Sequence, residues 1–188
     1  GPLIVDVGAG VGRLALPLAK YAKNVIALDS NDKLKDYYKT IKCLKLKFIC
    51  DKAEKYLKGR QFDIFIFAWL PLDKKLVKVI KKSMHEKSQL IIFIPNNNSD
   101  YESIVEKLGA VTKIESMKYN QNKQQFLAFL EKEFKVIKKK LLKTKYVYQN
   151  ESVALGKVKE NIEFWYNTKL TTEQLNKLKI IINPLNKI

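Results

Sequence analysis

The residues best suited to chemistry lie near the start of the chain. Three glycines fall within five residues, Gly8-Ala9-Gly10-Val11-Gly12, directly after the apolar run Leu3 to Val7. Glycine lets a backbone turn sharply and approach a ligand with no Cβ in the way. A helix opening after such a loop offers free N–H groups and the positive end of its dipole. Asp29 follows a second apolar run, Val25 to Leu28, and Ser30 comes next. A carboxylate about 20 residues beyond a glycine loop is spaced to accept hydrogen bonds from ribose hydroxyls. Asp6 stands two residues before the first glycine. Facing a pyrophosphate it would be repelled, whereas facing an ammonium group it would be attracted. The dinucleotide spacing Gly-x-Gly-x-x-Gly would put its third glycine at position 13, where the chain has Arg13. The residues therefore favour a nucleoside carrying a cation over a dinucleotide.

Positioning these groups requires alternating strands and helices. Leu3–Val7, Val25–Leu28, Leu46–Cys50, Phe62–Ala68 and Gln89–Ile94 read as five strands, the first and fourth apolar apart from Asp6 and Asp63, as in the strands that parallel sheets bury on both faces. Between them, Leu14 to Ala22, Asp32 to Ile41, Ala53 to Leu57 and Lys74 to Met84 read as helices, with Ser30 or Asn31 as a cap for the second. Tyr101 to Leu108 is a further helix ended by Gly109. The expected fold is α/β, a doubly wound, mostly parallel seven-stranded sheet with helices on both faces and helices at the C-terminus. The last two strands are expected at Val111–Met117 and within Phe134–Tyr148, with helices at Gln121–Glu133, Glu151–Trp165 and Thr172–Ile180. The reading takes residues 1–188 as one domain, with 1–109 a ligand-binding core and 110–188 further strands, a lid and helices.

The segment Asp6-x-Gly8-x-Gly10-x-Gly12, with Asp29 and then Asp51 at later strand ends, resembles motif I and its partners in the class I S-adenosylmethionine-dependent methyltransferases. The resemblance is strong from Leu3 to Pro71 and weak after Gly109. It implies methyl transfer (an EC 2.1.1-type activity) with S-adenosylmethionine as cofactor and S-adenosylhomocysteine as product. It further implies cofactor contacts from Asp6, Gly8, Ala9, Gly10, Gly12, Asp29 and Ser30. By the same likeness Asp51 takes the adenine amino group, with Lys52 and Ala53 beside it. The fourth strand ends near the methyl group in that family, which brings Ala68 and Trp69 to the site, Trp69 either as a wall of the pocket or as plain core. No catalytic residue and no metal ligand is implied. Asp73 and Tyr101 follow strands four and five, and each reads equally as an acceptor-side group or a helix-entry residue. His85, the only histidine, is expected at a helix end away from the site.

The methyl acceptor is harder to read. Amine-methylating nucleic-acid enzymes of this family carry Asn/Asp-Pro-Pro-Tyr or Asn-Leu-Pro-Tyr after strand four, and this chain has Trp69-Leu70-Pro71-Leu72. Neither Cys43 nor Cys50 follows a proline, as a cytosine C5 nucleophile would. The formal net charge of +17 invites a polyanion. Only Arg13 and Arg60 are arginines, however, and specific nucleic-acid readers lean on arginine. A small-molecule acceptor is therefore expected, with RNA or protein docking through lysines, or a non-catalytic cofactor-binding domain, as alternatives. Salt dependence of binding separates small molecule from polyanion. No apolar run reaches the length of a bilayer span, and no basic leader precedes Leu3. The two cysteines read as reduced thiols, so a cytoplasmic protein is expected. The family usually begins with helices before strand one; either recognition lies in Tyr119–Glu133 here, or the chain is incomplete.

Overall fold

A computed structural model describes residues 1–68, 73–94, 100–109, 113–142, 148–165 and 168–182. The chain forms two compact units, Gly1–Pro95 and Asn96–Ile188. The division falls before the 109 boundary read from the sequence, and separates the parallel sheet from a helical segment.

The first unit is a five-stranded sheet ordered β3-β2-β1-β4-β5, with every described pairing parallel. Its strands are β1 (Leu3–Val7), β2 (Asn24–Asp29), β3 (Leu46–Cys50), β4 (Phe62–Ala68) and β5 (Met84–Phe93). The central strands are the most apolar and the most buried: Val5, Val25, Ala27 and Phe65 have no exposed surface. On one face Ile4, Val25, Ala27 and Ile66 pack with Ala15, Ala19, Ala22 and Tyr38 from the connecting segments. Small alanines there let the first connection lie close to the sheet.

The connections are α1 (Ala15–Leu18), α2 (Leu34–Lys39), α3 (Ala53–Tyr56) and α4 (Lys74–Lys82). All four are shorter than the sequence pattern suggests. In α1, Pro17 has no N–H to donate to the preceding turn. After it the chain continues as turns closed by Tyr21 N–H to Leu18 O and Ala22 N–H to Leu18 O, rather than as helix to Ala22. α4 starts where Asp73 Oδ1 accepts the Lys75 and Leu76 amides at 2.7 and 3.3 Å. Asp73 is thus a helix-entry residue. Strand β5 begins at Met84, five residues before the expected Gln89, with a register shift opposite Phe62–Ile64.

The second unit contains α5 (Asp100–Leu108), α6 (Lys113–Glu133), α7 (Glu151–Trp165) and α8 (Thr172–Ile182). Ile104, Leu108, Ala154, Val158, Ile162, Leu178 and Ile182 form its core. The sequence expectation of seven strands is corrected here. Most of Val111–Met117, read as a sixth strand, is the start of α6; residues 110–112 lie outside the described ones. Residues 135–142, within the seventh expected strand, form no strand, and 143–147 are outside the described residues. Isoleucine, valine and lysine in short alternation satisfy a strand pattern and a helix pattern alike, so periodicity does not separate the two. Among the described residues no helix is long and apolar enough to cross a membrane.

Candidate functional site

The C-terminal ends of β1, β2, β3 and β4 lie along one edge of the sheet, because Val7 pairs with Leu28 and Phe67, and Asp29 pairs with Cys50. Ligands of open α/β sheets bind outside this edge, where the strand order reverses, here between β1 and β4. The glycine loop leaves β1 at that point. Gly8, Gly10 and Gly12 have φ of 73°, 52° and 75°, the left-handed region that residues with a Cβ avoid. The Gly8 and Ala9 amides both donate to Leu28 O, at 2.8 and 3.1 Å, which folds the loop back across the end of β2. The Gly12 amide donates to Ala9 O and Gly12 O accepts from Leu16, so the loop runs straight into α1.

Asp29 locks onto this loop. Its Oδ2 accepts the Gly10 amide at 2.9 Å and its Oδ1 accepts the Asn31 amide at 2.9 Å. A carboxylate oxygen has two lone-pair sites, so each oxygen keeps capacity for a further donor while its direction is fixed. Asp6 lies one residue inside the edge, paired with Ala27 and Ile66, and is 2% exposed. Burial pushes its carboxyl up to about 6; the Ala15 amide pulls the other way, and the charge of Asp29 raises it further. None of the described ion pairs involves Asp6. A buried acid facing the start of a helix, with a second acid nearby, is a place where a cation is favoured.

At the end of β3, the Asp51 amide donates to Asp29 O at 3.2 Å, which joins the two acids' backbones. Asp51 Oδ1 accepts the Lys52 amide at 2.8 Å, and Lys55 Nζ lies 3.4 Å from Oδ2. Lys52 caps α3 in extended conformation and Ala53 begins it. Ser30 is exposed beside Asp29, its carbonyl 3.9 Å from Cys50 Sγ. Ala68 is buried at the end of β4.

Residues 5–92 match the family model described as a methyltransferase domain. Over that segment the chain is similar to methyltransferase domains.

The matched segment ends within three residues of the boundary between the two units. No curated protein matches the chain in sequence. Among solved structures, coclaurine N-methyltransferase bound to N-methylheliamine and S-adenosylhomocysteine is 19% identical, with 49% of this chain and 30% of that one covered and a TM-score of 0.44. An S-adenosylmethionine-dependent methyltransferase from Clostridium acetobutylicum is 19% identical over 56% of this chain and 46% of that one, TM-score 0.44. Precorrin 8W decarboxylase from Methanobacterium thermoautotrophicum is 20% identical over 58% and 63%, TM-score 0.43. The chain thus spans less than two thirds of the length of each.

Asp6, Gly8, Ala9, Gly10, Gly12, Asp29, Ser30, Asp51, Lys52, Ala53 and Ala68 all lie along this one edge or in the loops that leave it. Trp69 and the following Leu70-Pro71-Leu72 lie outside the described residues, as does the side chain of Tyr101. His85 is on β5, not at a helix end, and bonds through Nε2 to Asp63 Oδ1 at 3.0 Å near the start of β4, at the opposite edge. Two residues not singled out in the sequence belong to the loop's surroundings: Tyr37 and Tyr38 of α2. The Tyr38 hydroxyl donates to Gly10 O at 2.9 Å and the Tyr37 hydroxyl to Val11 O at 3.1 Å. Their only signal in the sequence is a tyrosine pair in the helix after β2.

Proposed function

We propose that this chain binds S-adenosylmethionine at the glycine-loop edge and transfers its methyl group to a small-molecule acceptor. The observation that carries the reading is the Asp29 carboxylate. It is held by the Gly10 and Asn31 amides with acceptor capacity to spare, beside a left-handed glycine loop and above a buried acid. Those residues fit the cofactor's chemistry. Asp29 would take the ribose hydroxyls, and Asp51 with Lys52 and Ala53 would border the adenine. Asp6 would sit under the methionine ammonium, directly or through water. A Cβ built on Gly10 meets nothing within 4 Å, so the space above the loop is open.

When bound, the cofactor supplies an activated methyl group, and the chain's task is positioning and water exclusion. Good positioning is worth roughly 7 to 11 kcal/mol of a barrier. Ala68, at the end of β4, stands where the acceptor would enter. Two arginines among 36 basic residues favour a small acceptor over a specifically read nucleic acid. The +17 charge supports the second reading, docking of RNA or an acidic protein through lysines. The free thiols of Cys43 and Cys50 support a reducing, cytoplasmic setting.

Calorimetry with S-adenosylmethionine and S-adenosylhomocysteine tests the cofactor. Micromolar-range binding by the parent protein is expected, and no binding by either ligand would sink the reading. Titrating added RNA from low to moderate salt then separates the acceptor classes. A steep fall in affinity favours the polyanion, and absence of RNA binding at low salt favours the small molecule.

A further inference from the structure

Gly10 is held by side chains at both of its peptide units. Its N–H donates to Asp29 Oδ2 at 2.9 Å, and its carbonyl accepts from the Tyr38 hydroxyl at 2.9 Å. Tyr38 is itself fixed. Its ring lies flat on Phe48 of β3, with centroids 4.2 Å apart and planes 8° from parallel, and Tyr37 meets it edge-on at 5.5 Å. It is 8% exposed. The same hydroxyl lies 2.9 Å from where a Cβ on Gly12 would stand, so it reaches across two of the three loop glycines. Tyr37 adds a second hydroxyl to the next carbonyl, Val11 O.

We propose that Tyr38 is a positioning residue for cofactor binding: through the Gly10 peptide it holds the Asp29 carboxylate in the direction needed for the ribose, with Tyr37 as a weaker second brace. The proposal rests on the cofactor reading above. The path is short. The N–H and the carbonyl of Gly10 lie in adjacent peptide units hinged at its Cα. Without the Tyr38 bond the Gly10–Val11 unit is free to turn, the left-handed turn at Gly10 loosens, and the Ala9–Gly10 unit that carries the N–H loses its fixed aim at Asp29. The carboxylate then keeps only the Asn31 amide. The cofactor-binding strength that depends on a fixed Asp29 is lost, although Tyr38 itself touches no ligand. Burial, with the nearby charges of Asp6, Asp29 and the Tyr37 phenol, raises the Tyr38 phenol further above its usual range, so it stays a donor at any pH the fold meets.

The test is a double-variant cycle read by S-adenosylhomocysteine affinity. Tyr38→Phe keeps the ring on Phe48 and removes only the hydroxyl. Its Kd is expected to rise about fivefold, the worth of one neutral hydrogen bond. Tyr37→Phe, whose ring is more exposed, is expected to raise Kd by about twofold. Removal of a hydroxyl elsewhere, Tyr21→Phe, is expected to change nothing. Because Tyr38 acts through Asp29, Tyr38→Phe in an Asp29→Ala background should add no further loss. A merely structural tyrosine would instead multiply the two losses. An unchanged Kd in Tyr38→Phe, or multiplying losses, overturns the proposal. If the parent binds no S-adenosylhomocysteine, the cofactor reading fails separately. The brace is then judged without ligand, from Gly10 amide exchange: about tenfold faster exchange in Tyr38→Phe supports a peptide held by Tyr38, and unchanged exchange overturns it.

Discussion

Asp6 and Asp63 sit on neighbouring strands of one sheet, near its two opposite edges. Asp6 on β1 is buried near the glycine loop, and its carboxyl is pushed up to about 6. Asp63 on β4 is half-exposed at the other end, where Oδ2 accepts the Leu3 amide at 2.7 Å and Oδ1 meets His85 at 3.0 Å. The Leu3 amide first, and His85 after it, hold its carboxyl below the usual range. The same side chain therefore does opposite things to the fold. Asp63 stitches the starts of β1, β4 and β5 together. Asp6 weakens the sheet wherever it is charged, and the sheet's remaining burial must outweigh it. An acid kept where it destabilises is a mark of ligand chemistry, and an acid with its bonds filled is a mark of structure.

The two titrate with opposite sign. Asp6 has a folded pKa above its unfolded value of 3.8, so the folded state binds more protons between about 4 and 6. Stability falls as pH rises through that window, and the fall is complete above about 7. Asp63 has a folded pKa below 3.8, so its contribution is present above that value and is lost as pH falls.

The largest expected effect comes from removing the first of these charges. Asp6→Asn should raise the unfolding free energy at pH 8 by about 2 to 3 kcal/mol, and by little at pH 4. Urea melts at both pH values measure this, and an equal change at both would remove the electrostatic cause. The same variant should bind S-adenosylmethionine more weakly, so stability and affinity move in opposite directions. Asp29→Ala should weaken S-adenosylhomocysteine binding by roughly 1 to 3 kcal/mol in calorimetry. Asp63→Ala, at the far edge, should leave that affinity unchanged; if it matched Asp29→Ala, the two edges would not differ in function. Gly12→Ala places a Cβ at φ +75°, 2.9 Å from the Tyr38 hydroxyl. It should lower stability by about 1 to 2 kcal/mol from the backbone alone, and by less in a Tyr38→Phe background than in the parent. The smallest effect is expected for His85→Ala. The Asp63 carboxyl should move up slightly towards its ordinary range and stay below it, since the Leu3 amide remains; carboxylate NMR titration reads this directly.

The contrast between the two edges also explains what could be read from residue order. Leu3–Val7, Leu46–Cys50 and Phe62–Ala68 have the boundaries expected of them, because a strand in a parallel sheet is written as an apolar run between glycine, proline or charge. Asp6, the glycines, Asp29 and Asp51 stand out because each interrupts or ends such a run. The start of β5 does not stand out. After Met84 the segment His85 to Ser88 is polar, and it enters the sheet through side chains: His85 on Asp63, and Ser88 Oγ on Phe62 O at 2.7 Å. Such bonds join residues more than 20 apart and have no periodicity. Tyr38 was hidden for the same reason, since a phenol 28 residues from Gly10 follows no spacing rule. The last two expected strands failed in the other direction, because a pattern common to strand and helix reads as strand: among the described residues, 113–117 begin α6 and 135–142 form neither strand nor helix.

Two consecutive amides, Gly8 and Ala9, share the single carbonyl of Leu28. That shared acceptor ties the loop to β2 before any ligand arrives. Its consequence is kinetic: a ligand meets a finished cradle rather than a mobile loop. Capture should then follow one concentration-proportional phase, and the rate of departure, not a slow rearrangement on entry, should set how long the complex lasts.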